Sequence, residues 1–131
     1  MENLNITSQI TFLYFEHYQK AKEFFTNVLK LELVFDPGWA SVFRTSGNAF
    51  IGAVDITKSS VDVKEKGGTL ISITVEDLSS WYNHLKKESD LELTEIKTFE
   101  DIHLKSFFFK GPEGYDFEIQ EFQNKSLNLI F

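Results

Sequence analysis

Gly111-Pro112-Glu113-Gly114-Tyr115-Asp116-Phe117-Glu118-Ile119 is a turn running straight into a strand. Two glycines and a proline within four residues favour a tight reversal. From Tyr115 to Phe122, apolar Phe117 and Ile119 alternate with Asp116, Glu118 and Gln120, the period of a half-buried strand. Upstream, Leu104 to Lys110 reads as the strand that enters the turn, and Leu91 to Ile96 as the strand before it. Further back, Asp77 to Glu88 carries Leu78, Trp81, Tyr82 and Leu85 at three- and four-residue spacing. That spacing predicts a helix with one buried stripe, and Asp77 stands where it can cap the first turn. Leu70 to Val75 opens the series as another strand, so the order is β-α-β-β-β.

The first half of the chain repeats this order. Ile10 to Phe15 is a β-branched and aromatic strand, and His17 to Leu29 a helix buried through Tyr18, Ala21, Phe24, Phe25, Val28 and Leu29. Strands follow at Leu31 to Phe35, Trp39 to Arg44 and Ala49 to Asp55, separated by the turns Asp36-Pro37-Gly38 and Ser46-Gly47-Asn48. Leu31-Glu32-Leu33 recurs 60 positions later as Leu91-Glu92-Leu93, and Glu16 recurs as Glu76. One unit therefore covers 8–56, the polar stretch 57–68 is a linker, a second unit covers 69–123, and an apolar tail occupies 124–131. The fold class expected is α+β: two tandem βαβββ units in one domain, each with a helix over the apolar face of its sheet.

Composition narrows the function. At 131 residues and 42% apolar, the chain can bury a core without staples. Thirteen basic against twenty acidic residues give a net charge of −7, which argues against a phosphate-neutralising surface and so against nucleic acid as a partner. With no cysteine, disulfides, thiolate metal sites and a cysteine nucleophile are excluded. No apolar run reaches the roughly 18 residues a membrane helix needs, so no membrane is expected and the setting is taken to be the cytoplasm. Fourteen phenylalanines are the unusual feature.

Three pieces, taken in order, resemble the vicinal oxygen chelate superfamily of glyoxalases, bleomycin-resistance proteins and extradiol dioxygenases. Gly111 to Ile119 is similar to its D-P-D-G-x-x-x-E-[LI] ending, Ala21-Lys22-Glu23-Phe24-Phe25 through Leu31 to its first helix, and Val75-Glu76-Asp77-Leu78 to the start of its second. The resemblance implies mixed sheets curled into U-shapes around a cavity, with helices on the convex side. It places the family's four metal-ligand positions on Ile10, Ile51, Leu70 and Glu118. Only Glu118 carries a lone pair for a metal, whereas a divalent ion wants three or more N or O donors. No cofactor is therefore expected, a divalent metal held by atypical ligands being the alternative.

By the family's strand orientation, Phe12, Tyr14, Trp39, Ser41, Phe43 and Phe108 should point into the cavity, with Ser72, Thr74, Asp116, Glu118 and Gln120 as its polar wall. Aromatic walls with a few polar anchors suit a small molecule. The resemblance thus implies a metal-free protein that sequesters an aromatic or cationic ligand, as bleomycin-resistance proteins do. The alternative is a lyase, dioxygenase or transferase that uses Glu118 as a proton acceptor. Leu129, Ile130 and Phe131, markedly apolar for a terminus, further suggest a homodimer.

Overall fold

The computed structural model describes residues 3–87 and 90–131. The chain divides into two compact units, with the boundary between Glu65 and Lys66. In the first, β1 (Gln9–Phe15), β2 (Glu32–Phe35), β3 (Ala40–Ser46) and β4 (Ala49–Asp55) form a mixed sheet of order β1-β4-β3-β2. β1 runs parallel to β4, and β3 antiparallel to both β4 and β2. The crossover between β1 and β2 is helical: α1 (Tyr18–Glu23) continues into a π-helical stretch, Phe24–Val28.

Local chemistry explains where that helix ends. Lys30 takes a left-handed φ of 58°, and the Leu31 N–H turns back to the Phe25 carbonyl at 3.0 Å, satisfying a carbonyl that a helix end would leave bare. The buried stripe is then fixed by aromatic packing. Phe25, fully buried, meets Phe24 and Phe43 at ring-centroid distances of 5.4 Å and Phe15 at 6.1 Å. Lys22 reaches across to Asp36 in the following turn at 2.5 Å, which holds the Asp36 carboxyl below the ordinary carboxylate range. Asp36 also accepts from the Gly38 N–H at 3.0 Å, and Gly38 adopts a φ of 105° that this turn reserves for glycine.

The second unit repeats the plan with β5 (Leu70–Thr74), α2 (Leu78–Lys86), β6 (Lys97–Phe99), β7 (Leu104–Lys110) and β8 (Asp116–Phe122), in the order β5-β8-β7-β6. Asp77 caps α2 by accepting from the Ser80 N–H at 3.1 Å and the Ser80 hydroxyl at 2.7 Å. Glu121 of β8 accepts from the Leu78 N–H at 3.0 Å, fastening the helix to its sheet. Tyr82 packs edge-on against Phe107 at 5.1 Å, and Phe109 stacks flat on Phe117 at 5.3 Å. Glu88, the last residue of the expected second helix, lies outside the described residues.

The fold class read from the sequence holds: α+β, with two tandem βαβββ units and a helix on one face of each sheet. One expected strand does not form. Residues 91–96 are irregular, and the edge strand of the second sheet is Lys97–Phe99. The physical reason lies at Thr94. Its N–H donates to the Phe108 carbonyl at 3.0 Å, but the Phe108 N–H is taken by the Thr94 hydroxyl at 2.9 Å, so a side chain replaces the backbone acceptor that a regular ladder would use. The C-terminal tail forms a single helical turn, α3 (Lys125–Asn128), capped by Asn124, and Phe131 stacks on Phe122 at 5.0 Å. Leu129 and Ile130 stay 90% and 71% exposed. Among the described residues no helix is long and apolar enough to cross a membrane.

Candidate functional site

Register decides which side chains share a face, because partners across a ladder point the same way and neighbours along a strand point oppositely. In the second unit Phe108 pairs with Glu118, which pairs with Ser72; the next row along is Ser106, Gln120 and Thr74, and the row before is Lys110, Asp116 and Leu70. These side chains occupy the face opposite α2, since Phe107 of the other parity is the one packed beneath the helix, against Tyr82. The structure brings Ser72, Thr74, Phe108, Asp116, Glu118 and Gln120 onto one surface.

This surface is bonded internally. Ser72 donates its hydroxyl to Glu118 Oε1 at 2.5 Å, and Gln120 Nε2 donates to Thr74 Oγ1 at 2.9 Å. Lys110 pairs with Asp116 at 2.5 Å. Glu118 is only 6% exposed, yet no lysine, arginine or histidine among the described residues forms an ion pair with it. With one hydroxyl donor and no paired cation, this carboxylate keeps acceptor capacity to spare. Beside it, Ser106 is fully buried, and its Oγ has no hydrogen-bond partner among the described residues.

The first unit corrects part of the sequence reading. Ile10 pairs with Phe50, Phe12 with Gly52 and Tyr14 with Val54, and β3 adds Arg44, Val42 and Ala40 to those rows. Ser41 and Phe43 have the opposite parity. Both are fully buried beneath the helix, where the Tyr18 hydroxyl hydrogen-bonds Ser41 and Phe43 packs on Phe25. They are core, not cavity wall. Ile51 likewise pairs with Thr11 and Phe43, so it lies on the face opposite Ile10, and Phe50 takes the place beside Ile10. Trp39 precedes β3 and is half exposed. Phe12 is 41% exposed and lays its ring directly over Gly52, so closely that a Cβ there would sit 2.3 Å from its Cδ1. Arg44 lies 5.0 Å over the Phe50 ring and 3.3 Å from Glu32.

A cleft of about 330 Å³ opens on the second unit, lined by Asp90, Glu92, Thr94, Phe108, Phe109, Lys110 and Asp116. Phe108 and Asp116 were expected on a pocket wall; Asp90, Glu92, Thr94, Lys110 and the neighbouring Ser106 were not. Parity along β7 places Ser106 and Lys110 beside Phe108, a signal present in the sequence. Residues 90–94 enter only because the chain leaves the ladder there, which no periodicity reveals.

The sequence pattern of the Glyoxalase/Bleomycin resistance protein/Dioxygenase superfamily matches residues 7–119. The chain belongs to this superfamily. Solved structures share its fold at low identity. Lactoylglutathione lyase from Agrobacterium tumefaciens superposes with a TM-score of 0.71 at 19% identity, covering 92% of this chain and 95% of its own. A glyoxalase/bleomycin resistance protein/dioxygenase from Nocardioides gives 0.71 at 14% identity, with 95% and 88% covered. TioX from Micromonospora sp. ML1 gives 0.71 at 12%, with 87% and 97% covered. No curated protein matches the chain by sequence.

The metal that the superfamily implies can be tested against the donors present. Ile10, Leu70, and either Ile51 or the Phe50 that replaces it on the face, offer no lone pair. Among the described residues no three His, Cys, Asp or Glu side chains gather into a group able to hold an ion. Gln9, next to Ile10, has the opposite parity and donates to Thr11 at 2.8 Å. Glu118 alone, with one hydroxyl beside it, does not fit a divalent ion that wants three or more donors.

Proposed function

We propose that this superfamily member is a metal-free small-molecule binding protein that sequesters an aromatic or cationic ligand. The observation that carries the reading is Glu118: at the one family ligand position with a donor, the carboxylate is buried, bonded to Ser72 and set beside Phe108, while the other positions are hydrocarbon. An apolar surface with a few fixed polar groups is the composition of a small-molecule site. A second reading, an enzyme that uses Glu118 as proton acceptor, draws on the same buried carboxylate and its 2.5 Å bond to Ser72. In either case the reading includes a cytoplasmic protein that pairs as a homodimer, supported by the exposed Leu129 and Ile130.

Metal analysis and melting scans test this directly. Purified protein should hold no stoichiometric divalent ion after mild chelation and gain no melting temperature with Ni, Zn, Mn, Fe or Co, because only a ligand that binds the folded state raises it. Aromatic and cationic fragments should raise it instead. One equivalent of tightly held metal would overturn the reading.

A further inference from the structure

We propose that the ligand group seated at Glu118 is an amidinium- or guanidinium-type cation, a flat charged group with at least two N–H donors. This rests on the small-molecule reading above and names the chemistry of that site.

The protein leaves several polar valences unused on this face. Glu118 accepts from Ser72 through Oε1, and its Oε2 receives no donor from the described residues. Gln120 gives its NH2 to Thr74, which turns its amide oxygen into a spare acceptor. These acceptors stand two residues apart on one face of β8, about 7 Å along the strand. Ser106, the ladder partner of Gln120, adds a fully buried hydroxyl without a partner among the described residues. Buried polar groups are nearly always satisfied, so such a hydroxyl marks a place where another polar group belongs. The unused valences are therefore chiefly acceptors, and they call for a donor-rich ligand.

Charge points the same way. Glu118 has no cationic partner among the described residues, whereas Asp116, Glu113, Asp36 and Glu32 each have one. The adjoining cleft carries Asp90, Glu92 and Asp116 against a single Lys110, itself bound to Asp116. Phe108 lines this cleft and is the register partner of Glu118, so an aromatic face stands beside the carboxylate. A planar cation can satisfy both, by hydrogen bonds to the carboxylate and by lying against the ring. An anion meets three carboxylates against the one Lys110, and a neutral aromatic leaves Glu118 without a cation.

The probe is benzamidinium chloride, with neutral benzamide of nearly the same shape as its control. Titration calorimetry and melting scans should show saturable benzamidinium binding, at least tenfold tighter than benzamide and weakened by added salt. Glu118→Gln, which keeps the shape and the Ser72 bond, should lower benzamidinium affinity at least tenfold and leave benzamide unchanged. Phe108→Leu should weaken both probes severalfold, giving a readout if Glu118→Gln folds poorly. Equal binding of the two probes, with Glu118→Gln silent, overturns the cation inference while the small-molecule reading stands. No benzamidinium binding at low-millimolar probe also overturns it. If a divalent metal then stabilises the protein, the small-molecule reading falls as well.

Discussion

Replacing Gly52 with alanine isolates the contact that shapes the open face of the first unit. A Cβ there falls 2.3 Å from Phe12 Cδ1 and 2.5 Å from Cε1, and ordinary contact begins at 3.4 Å, so the ring must give way by about an ångström. Overpacking of this kind costs about 1–3 kcal/mol. Phe12 is half exposed and can swing outward, which keeps the cost to about 2 kcal/mol, short of the top of that range. Against it, alanine in a strand recovers about 0.5–1 kcal/mol of backbone entropy that glycine loses on folding. The expected net is a destabilisation of about 1 kcal/mol. The decisive comparison is the same substitution in a Phe12→Ala background. With the ring gone, only the entropic gain remains, and Gly52→Ala becomes neutral or slightly stabilising. Urea unfolding of the four proteins, followed by Trp39 fluorescence in a Trp81→Phe background, measures the coupling, expected at about 1–2 kcal/mol. An equal cost of Gly52→Ala with and without Phe12 would falsify the placement of that ring.

Gly111→Ala should be harsher, by about 3 kcal/mol, because the Cβ meets Phe117 Cε2 at 2.5 Å and that ring is buried and stacked on Phe109; a urea midpoint close to wild type would contradict it. Phe43→Ala should cost about 3–5 kcal/mol, since the ring is core beneath the helix, and a loss under about 1 kcal/mol would return it to the cavity wall read from the sequence. The carboxyls of Asp36, Asp55 and Asp77 are held below the ordinary range by Lys22, by Thr57 and by Ser80, in that order. Folded values below unfolded ones mean stability that is present above about pH 4 and lost as pH falls through the folded values. The urea midpoint should therefore drop between pH 5 and pH 3 (both about), and less steeply in an Asp77→Asn variant; a flat profile refutes the linkage. Removing residues 126–131 should weaken self-association in sedimentation at micromolar protein, and a full-length chain that already sediments as a 15.2 kDa monomer, with the truncated chain monomeric too, rejects the dimer.

Much of the molecule was legible in the sequence alone. The alternation of Phe117 and Ile119 with Asp116, Glu118 and Gln120 set those three polar residues on one face of the strand, because two-residue periodicity survives any tertiary arrangement. The repeat of Leu31-Glu32-Leu33 sixty residues on, the Asp77 cap and the two turns likewise gave the βαβββ order from local chemistry. β3 shows where local reading stops. Ala40-Ser41-Val42-Phe43-Arg44 has a small polar residue and a large ring on one parity, and two aliphatics with an arginine on the other, so either face could be the core. Pairing chose: Phe43 opposite Ile51, with Phe25 on the far side of the ring and the Tyr18 hydroxyl on Ser41, buried the polar residue by satisfying it. Residues 91–96 have a strand's composition, yet one threonine hydroxyl took the hydrogen bond that would have extended the ladder. The Glu118 carboxylate stood in the sequence as one of three acids on its strand; its burial, its bond from Ser72 and its want of a cation are set by neighbours from three strands. Sequence determined what repeats along the chain, and tertiary structure decided which of two equivalent faces each polar group would share, because that choice is settled by partners far away in sequence.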